Sequence, residues 1–324
     1  MFKNMNKKLL IAAVSVLLVV TVVGCGGQQK AEKSESESAV NMSEVKFGYV
    51  NWPGVTMKTH VAKNVLEKLG YKVKMDSYTQ QVLFTGMEKD QIDAFLGNWD
   101  PTMKVNFEPY QEKGVVENVR VNLPEALYQT AVPKYVWEAG VKSMADLHKH
   151  AEKFDKRVVG IEPGNDGNQI IKDAIKNNTY NLKDWELANG STAAMLAAVG
   201  KATANKDWIA FNGWKPHWMN VKYDIKYLKD PEGIWGSNDV VYSVARPELK
   251  EEASNFYKFL ENFNVTSDMQ SAWILEYQKK ERDPKKVAEE WVNNNQDLVK
   301  KWVKGMKTVD GQDAQEVLTE KLSK

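Results

Sequence analysis

Short apolar runs alternate with helical patterns along the first two thirds of the chain. The strand-like segments are "VKFGYV", "YKVKMDSY", "QIDAFLGNW" (a helix end followed by a strand), "RVVGIEP" and "DWIAFNGW", and the helix-like segments are "HVAKNVLEKLG" and "QIIKDAIKN". Apolar residues recur every three or four positions in the helix-like segments and cluster or alternate in the others. This order is typical of βαβ units with parallel strands. The pattern predicts an α/β protein with a ligand crevice beyond the carboxyl ends of its strands.

The last third of the chain shows amphipathic helical patterns instead. They are "LKEEASNFYKFLENF", "SDMQSAWILEYQ" and "PKKVAEEWVNNNQDLVKKWVKGM". Trp273, Trp291 and Trp302 fall on the apolar stripes of these patterns. We therefore expect these three rings to pack in the core or against a lobe, not to line a binding site.

The amino terminus has the organisation of a secretory signal. Lys3, Lys7 and Lys8 precede the apolar run "LLIAAVSVLLVVTVVG", which leads to Cys25. The sequence "VVGC" resembles a bacterial lipobox, so residues 1–24 are interpreted as a removable signal peptide and Cys25 as the lipidated residue. The alternative is an uncleaved membrane helix, because about 20 apolar residues span a bilayer.

Residues 25–43 are rich in Gly, Gln, Ser, Lys and Glu, which predicts a disordered tether. The remainder is long enough for two lobes of similar size. We expect residues 44–130 to form the first part of lobe 1 and residues 131–225 to form lobe 2. Residues 226–324 are expected to return to lobe 1 and add the C-terminal helices.

Composition and motifs exclude several classes of function. The chain has 44 Lys and Arg against 43 Asp and Glu, and 41 against 43 without the three leader lysines, which is unlike a nucleic-acid-binding protein. Cys25 is the only cysteine, so no disulfide can form within the chain. We expect no metal and no cofactor, because no metal-ligand spacing, G-x-S-x-G, P-loop or G-x-G-x-x-G motif is present. A hydrolase with paired carboxylates stays open as an alternative.

Four large aromatic residues follow predicted strand ends, where a crevice is expected: Trp52, Trp99, Tyr128 and Trp214. The segment "FNGWKPHWMN" (residues 211–220) gathers two tryptophans and a histidine in ten positions. Each ring is either a core residue or a wall of the crevice. A quaternary ammonium group donates no N–H hydrogen bond, so a selective site surrounds it with π-faces, each worth roughly 0.5 to 2 kcal/mol. The clustering at strand ends favours such a cage.

The motifs "FLGNWDPTM", "GIEPGNDGN" and "GWKPHWMN" occur in an order that resembles the substrate-binding proteins of ABC transporters for glycine betaine, choline and related quaternary amines. The resemblance covers nearly all of the mature chain and is greatest for the choline-binding branch. It implies an α/β fold of the type II periplasmic-binding-protein class, with two lobes and a ligand cleft between them.

The resemblance also assigns roles to individual residues. It implies that the four aromatic residues form the cage and that Asn165 bonds the ligand's polar end. Within "GWKPHWMN" we expect Trp214 to face the ligand and Trp218 to pack. His217 is expected to support the cage, with direct ligand contact as the alternative.

Gly54 departs from the choline-binding pattern. Where choline binders of this family read G-W-T-D, this chain reads "NWPG", so Gly54 stands in the place of the acid. A carboxylate there would repel a ligand that carries its own. The segment "PGVTMKTHVAKN" predicts a helix start whose free N–H groups attract an anion near Gly54, Val55 and Thr56. These features favour glycine betaine or carnitine, unless Gly54 merely relaxes a turn and another residue replaces the acid.

The sequence therefore predicts a monomeric, lipid-anchored binding protein on the extracytoplasmic face of the cell membrane. It is expected to deliver a quaternary ammonium compound to the permease subunits of an ABC importer, with ATPase subunits behind them, and to bind no nucleic acid. A choline-binding protein of the same class is the first alternative. A membrane-anchored enzyme acting on a quaternary amine and a sensory binding module are the others.

Overall fold

The structure, a computed structural model, describes residues 42–322. Cys25, the predicted signal peptide and most of the predicted tether lie outside the described residues. The strands are β1 Glu44–Tyr49, β2 Lys72–Ser77, β3 Ala94–Asp100, β4 Glu117–Pro133, β5 Arg157–Val159, β6 Glu186–Ala188, β7 Ala210–Lys215, β8 Ile225–Tyr227 and β9 Asp239–Ala245. The helices are α1 Pro53–Lys68, α2 Gln80–Glu88, α3 Lys104–Glu112, α4 Lys134–Glu138, α5 Asp166–Lys176, α6 Thr192–Asn205, α7 Met219–Lys222, α8 Leu249–Glu252, α9 Ser254–Asn262, α10 Ser267–Ile274, α11 Pro284–Asn294, α12 Gln296–Trp302 and α13 Ala314–Leu322.

The strands of the described residues form one mixed sheet. Their order is β2-β1-β3-β9-β4-β7-β5-β6, and β8 pairs with β4. The pairs that β1 forms with β2 and β3, and that β5 forms with β6 and β7, are parallel. Strands β4 and β9 run antiparallel to their neighbours. The sheet thus has two parallel ends, as the βαβ pattern predicts, joined by antiparallel strands.

Strand β4 connects the two halves of this sheet. Its residues 117–126 pair with β9, whereas its residues 127–131 pair with β7. The first lobe is therefore built on β1, β2, β3 and β9, and the second on β5, β6, β7 and β8. The lobe boundaries expected near residues 130 and 225 stay predictions.

Helix α1 begins directly after β1, because Pro53 occupies its first turn, where proline's missing N–H group is not needed. Val61, Val65 and Leu66 recur at helical spacing and are fully buried. Gly70, which follows the helix, has a φ of +92°, a conformation that glycine adopts readily. Helix α1 packs against α10 and α11 of the C-terminal region.

The three tryptophans of the C-terminal helices pack in the core, as predicted. Trp273 and Trp302 are 1% and 0% exposed. Trp291 lies between them, with its ring centroid 4.8 Å from that of Trp273 and 5.6 Å from that of Trp302. The helical patterns are interrupted at Ala253 and Asn295, where the structure has two shorter helices in place of each long one. No helix within residues 42–322 has the length and apolar content needed to cross a bilayer.

Candidate functional site

A cavity lies between the two lobes, where α1, β3, β4, β7 and α10 converge with the loop that precedes α5. Its wall is formed by Trp52, Gly54, Val55, Lys58, Trp99, Thr102, Met103, Tyr128, Ile161, Asn165, Trp214 and Gln270. Seven of the residues expected at the ligand from the sequence line this one cavity, whereas Thr56, expected near the ligand's anionic group, does not. Their contact with a ligand stays a prediction. Lys58, Thr102, Met103, Ile161 and Gln270 also line the cavity and were not expected from the sequence.

Three aromatic rings form one wall of the cavity. The ring centroid of Tyr128 lies 6.3 Å from that of Trp99 and 5.8 Å from that of Trp214. The planes of Tyr128 and Trp214 are almost perpendicular, at 89°. In this edge-to-face pair, only one face of one ring is covered by its partner, so other ring faces remain to contact an occupant of the cavity. This arrangement suits a cation that is bound through π-faces.

Trp52 approaches the cavity from the start of α1. It is the N-cap residue of that helix, and its indole Nε1 donates a hydrogen bond to Oε1 of Glu162 in the second lobe. The other oxygen of Glu162 accepts hydrogen bonds from the N–H and hydroxyl groups of Thr192, at 3.1 and 3.0 Å. Glu162 therefore fixes the orientation of Trp52 across the cleft.

The expectation that all four aromatic residues lie on loops after strands is wrong. Only Trp52 lies beyond a strand, whereas Trp99 and Trp214 occupy the last residues of β3 and β7. Tyr128 lies within the long strand β4. The reason is that β4 runs from one lobe to the other, so a residue in the middle of this strand faces the cleft.

The first turn of α1 offers two free backbone donors to the cavity. The N–H groups of Gly54 and Val55 make no hydrogen bond to other described residues, and α1 has no side-chain cap and no acid in its first turn. The Thr56 N–H was expected to be free but already donates to the Trp52 carbonyl oxygen, at 2.8 Å. A helix start of this kind attracts an anion.

Gly54 lies within α1 and does not have a positive φ, so no turn requires glycine there. The side chain of Gln270 covers it instead. A Cβ atom at position 54 would come within 2.8 Å of Cδ of Gln270, and nearer still to its Nε2. Gln270 thus fills the space into which a side chain at position 54 would extend.

Asn165 is the N-cap of α5, and its side-chain oxygen is already engaged. Oδ1 accepts hydrogen bonds from the N–H of Gly167, at 2.9 Å, and from the hydroxyl of Tyr128, at 3.0 Å. Its Nδ2 group makes no hydrogen bond to the other described residues. Asn165 can therefore offer a ligand a donor and not an acceptor.

His217 and Trp218 lie behind the cavity wall. The His217 ring centroid is 5.0 Å from that of Trp214, and burial lowers the pKa of His217 to about 3, which keeps the imidazole neutral. The indole Nε1 of Trp218 donates to Oε1 of Gln278, and its ring packs against Tyr223. These positions agree with the expected packing role of Trp218.

Buried groups next to the cavity hold its backbone in place. Asp239 accepts hydrogen bonds from the N–H groups of Thr102, at 3.0 Å, and Tyr128, at 3.1 Å. Burial raises the pKa of Asp239 to about 6. Within residues 42–322, no three His, Cys, Asp or Glu side chains lie together as a metal site requires.

A cavity with an aromatic wall between two α/β lobes is typical of one class of protein, the solute-binding proteins that take up a small organic ligand. Comparison with known families gives the same answer in more detail. Residues 43–294 match the substrate-binding domain of ABC-type glycine betaine transport systems, and the chain belongs to this family.

Relatives of known structure share the fold over most of their length. A choline-binding protein of an ABC transporter, solved in complex with choline, is 34% identical, with a TM-score of 0.84 over 87% of this chain and 98% of that chain. Lactococcal OpuAC, solved in its closed-liganded conformation with glycine betaine, is 31% identical, with a TM-score of 0.75 over 81% of this chain and all of that chain (100%). These likenesses confirm the two-lobed periplasmic-binding-protein fold.

A relative known from its sequence is the glycine betaine/carnitine transport binding protein GbuC of Listeria monocytogenes. It is 37% identical over 162 residues, which are 49% of this chain and 53% of GbuC. The match therefore spans about half of each protein.

Proposed function

We propose that the cavity binds a quaternary ammonium compound that carries a carboxylate, such as glycine betaine or carnitine, and that the protein delivers it to an ABC importer. The observation that carries this proposal is the combination of aromatic wall and free backbone donors in one cavity. The rings of Trp99, Tyr128 and Trp214 receive the trimethylammonium group, and the N–H groups of Gly54 and Val55 receive the carboxylate.

Choline is the second candidate, because a relative with 34% identity was solved with choline bound. The charge of the cavity wall favours the zwitterions. None of the described lining residues is an acid, and the carboxylates of Glu162 and Asp239 next to the wall are already bonded to Trp52 and Tyr128, so no lining carboxylate is free to pair with choline. Glycine betaine and carnitine bring their own negative charge and need no such partner.

The proposed role is binding and transfer, without chemical change of the ligand. Substrate-binding proteins of ABC importers act on the extracytoplasmic side of the membrane, where they present the ligand to the permease subunits. We place this protein there as a monomer, held by lipid on Cys25 after removal of residues 1–24. The lipobox-like "VVGC" and the basic, apolar leader support this placement.

The experiment that tests this function is a calorimetric titration of the purified protein with glycine betaine, carnitine and choline. We expect one ligand to bind per chain and both zwitterions to bind at least about tenfold more tightly than choline, a difference of about 1.4 kcal/mol. Failure to bind any of the three would contradict the proposal. Conversion of a ligand during the incubation would support the enzyme instead.

A further inference from the structure

Two polar side chains of the cavity wall have no part in the function proposed above. Lys58 lies one helical turn after Gly54, on the same face of α1. Gln270 extends from α10 over Gly54. Lys58 is 1% exposed and Gln270 is 2% exposed, yet both line the cavity. Both side chains therefore border the cavity while they are shielded from bulk water.

Lys58 is a buried amine with one protein partner. Its Nζ atom donates a hydrogen bond to Oδ1 of Asn122, at 2.8 Å. Nδ2 of Asn122 lies 3.3 Å from the carbonyl oxygen of Leu96 and 3.0 Å from Oγ of Ser243, which fixes Oδ1 as the acceptor that faces Lys58. An ammonium group has three N–H donors, so two of them have no partner among the described residues.

No carboxylate among the described residues forms an ion pair with Lys58. Burial alone lowers the pKa of its amine to about 7, since no charged neighbour contributes to the shift. A buried ammonium without a counter-ion is unfavourable, because the charge has lost its water and gained no partner. A carboxylate in the cavity would supply the missing partner.

Gln270 has a side-chain amide that the protein leaves unpaired. Its Oε1 atom is buried without a hydrogen-bond partner, and its Nε2 atom makes no hydrogen bond to the other described residues. A buried amide in this state is unfavourable unless something in the cavity bonds to it. The amide group can donate to a carboxylate as well as accept from a hydroxyl group.

We propose that Lys58 and Gln270 form the polar end of the cavity and make it selective for a carboxylate, with Lys58 as its counter-ion and Gln270 as an N–H donor. This inference rests on the proposed function, because it concerns the polar end of the same ligand. Choline would leave Lys58 without a counter-ion and bring a second positive charge close to it. A zwitterion neutralises Lys58 and fills its two free donor positions.

The test is a titration of the full-length protein with glycine betaine and with choline, which share the trimethylammonium group. Lys58→Met removes the charge while keeping a long unbranched side chain. We expect it to weaken glycine betaine binding at least about tenfold and to leave choline binding unchanged or stronger. Lys68→Met is the matched control, because it removes the same charge from the same helix outside the cavity.

A second variant keeps the test valid if Lys58→Met misfolds, which could happen because this substitution leaves Asn122 without its donor. Gln270→Glu changes a side chain that has no hydrogen bond to other described residues. The new carboxylate beside Gly54 should weaken glycine betaine by repulsion and strengthen choline by attraction. The ratio of the two affinities should therefore shift toward choline in both variants.

Proton exchange during binding shows whether Lys58 acts as the counter-ion of the ligand or has only a structural role. At about pH 8, a carboxylate next to Lys58 should raise its pKa and cause proton uptake, which titrations in buffers of different ionisation enthalpy measure. Asp166 and Asp239 have pKa values raised to about 6 and His217 has one lowered to about 3, so they keep their charge states there. Lys58→Met should abolish the uptake.

The outcomes distinguish this inference from the proposed function. Equal loss of both ligands in Lys58→Met and Gln270→Glu, or binding of glycine betaine without proton uptake, would overturn the inference and leave the proposed function standing. Failure of the wild-type protein to bind either ligand would overturn both.

Discussion

Tyr128 is the residue around which the aromatic wall is arranged. Its ring contacts Trp99, Trp214 and Trp235, and its hydroxyl donates to Asn165. Its backbone N–H donates to the buried carboxylate of Asp239. The ring of Tyr128 is therefore held at both ends in the position in which it lines the cavity.

Replacement of Trp99 or Trp214 with alanine should weaken glycine betaine binding by more than about 1.5 kcal/mol, roughly tenfold, because a cation–π contact and the exclusion of water are lost. Calorimetry measures the loss, and thermal unfolding checks that the fold survives. Trp208→Ala is the matched control, since Trp208 packs on Phe154 and His150 away from this cavity. Unfolding of the Trp99 and Trp214 variants would instead mean that these rings are core residues.

From the sequence alone, Gly54→Asp is expected to repel ligands that carry a carboxylate. In the structure, the new side chain also competes with Gln270 for space. The new side chain would meet Gln270, so the single variant should bind both zwitterions and choline poorly. In Gly54→Asp combined with Gln270→Ala, the carboxylate has room, and preference should move toward choline. Titration of both variants with glycine betaine and choline measures the shift. An unchanged ratio in the folded double variant would show that the charge at position 54 does not decide selectivity.

The places of Trp99 and Trp214 in the cavity wall could be predicted because tryptophans close to Gly and Pro stand out in "GNWDP" and "GWKPHW". The positions of Lys58 and Gln270 in the cavity wall could not be predicted from the sequence. A lysine on an amphipathic helix is expected to face solvent, and nothing in its sequence neighbours shows that α10 will cover this face. Burial of Lys58 is a tertiary effect, because it depends on β3, β4 and α10 meeting around α1.

At the scale of elements, strand β4 shows what sequence patterns miss. Its first residues pair with β9 and its later residues pair with β7, so the buried face changes along the strand. The strand therefore lacks the regular alternation of apolar and polar residues by which a strand is recognised in a sequence. Apolar runs predict β1, β3, β5 and β7, and an alternating run predicts β2, whereas no pattern marks β6, which has only three residues and none fully buried. The cavity depends on β4 all the same, since this strand carries Tyr128 into the cleft.

Helix α5 of the second lobe is joined across the cleft to α2 and α3 of the first. Asp166 at its start accepts hydrogen bonds from Nε2 of Gln80 and, at 2.7 Å, from Nδ2 of Asn106. Burial raises the pKa of Asp166 to about 6, although both hydrogen bonds favour its charged form. Asp166 therefore joins the two lobes through these two hydrogen bonds.

Asp166→Ala should weaken ligand binding at least about tenfold without altering the cavity wall, because it removes two hydrogen bonds to a charged group, each contributing about 1.5 to 3 kcal/mol. In the wild-type protein, burial between the lobes raises the pKa of Asp166, so closure takes up a proton; affinity should therefore rise as the pH falls through about 6 and be constant well above that pH. Asp173→Ala on the exposed face of α5 is the control. Unchanged affinity in Asp166→Ala would show that these bonds do not hold the lobes together.

For the whole molecule, the proposed function combines the cavity with an expected lipid anchor at Cys25, which lies outside the described residues. Delivery to a permease requires the loaded protein to stay near the membrane. A lipid on Cys25 would meet this need.

Cys25→Ser should leave the protein unprocessed or released from the membrane, because no other thiol can accept the lipid. Partition into a detergent phase and the mass of the processed chain are the two measurements. Ligand affinity should be unchanged, which serves as the internal control. Unaltered partitioning and mass in Cys25→Ser would contradict the lipoprotein interpretation.

A crystal structure of the protein with glycine betaine tests the proposed binding mode directly. We expect the ligand nitrogen within about 6 Å of the ring centroids of Trp99, Tyr128 and Trp214. We also expect a carboxylate oxygen about 3 Å from the N–H nitrogens of Gly54 and Val55. A ligand bound outside this cavity, or bound with its carboxylate against the aromatic wall, would show that the proposed binding mode is wrong.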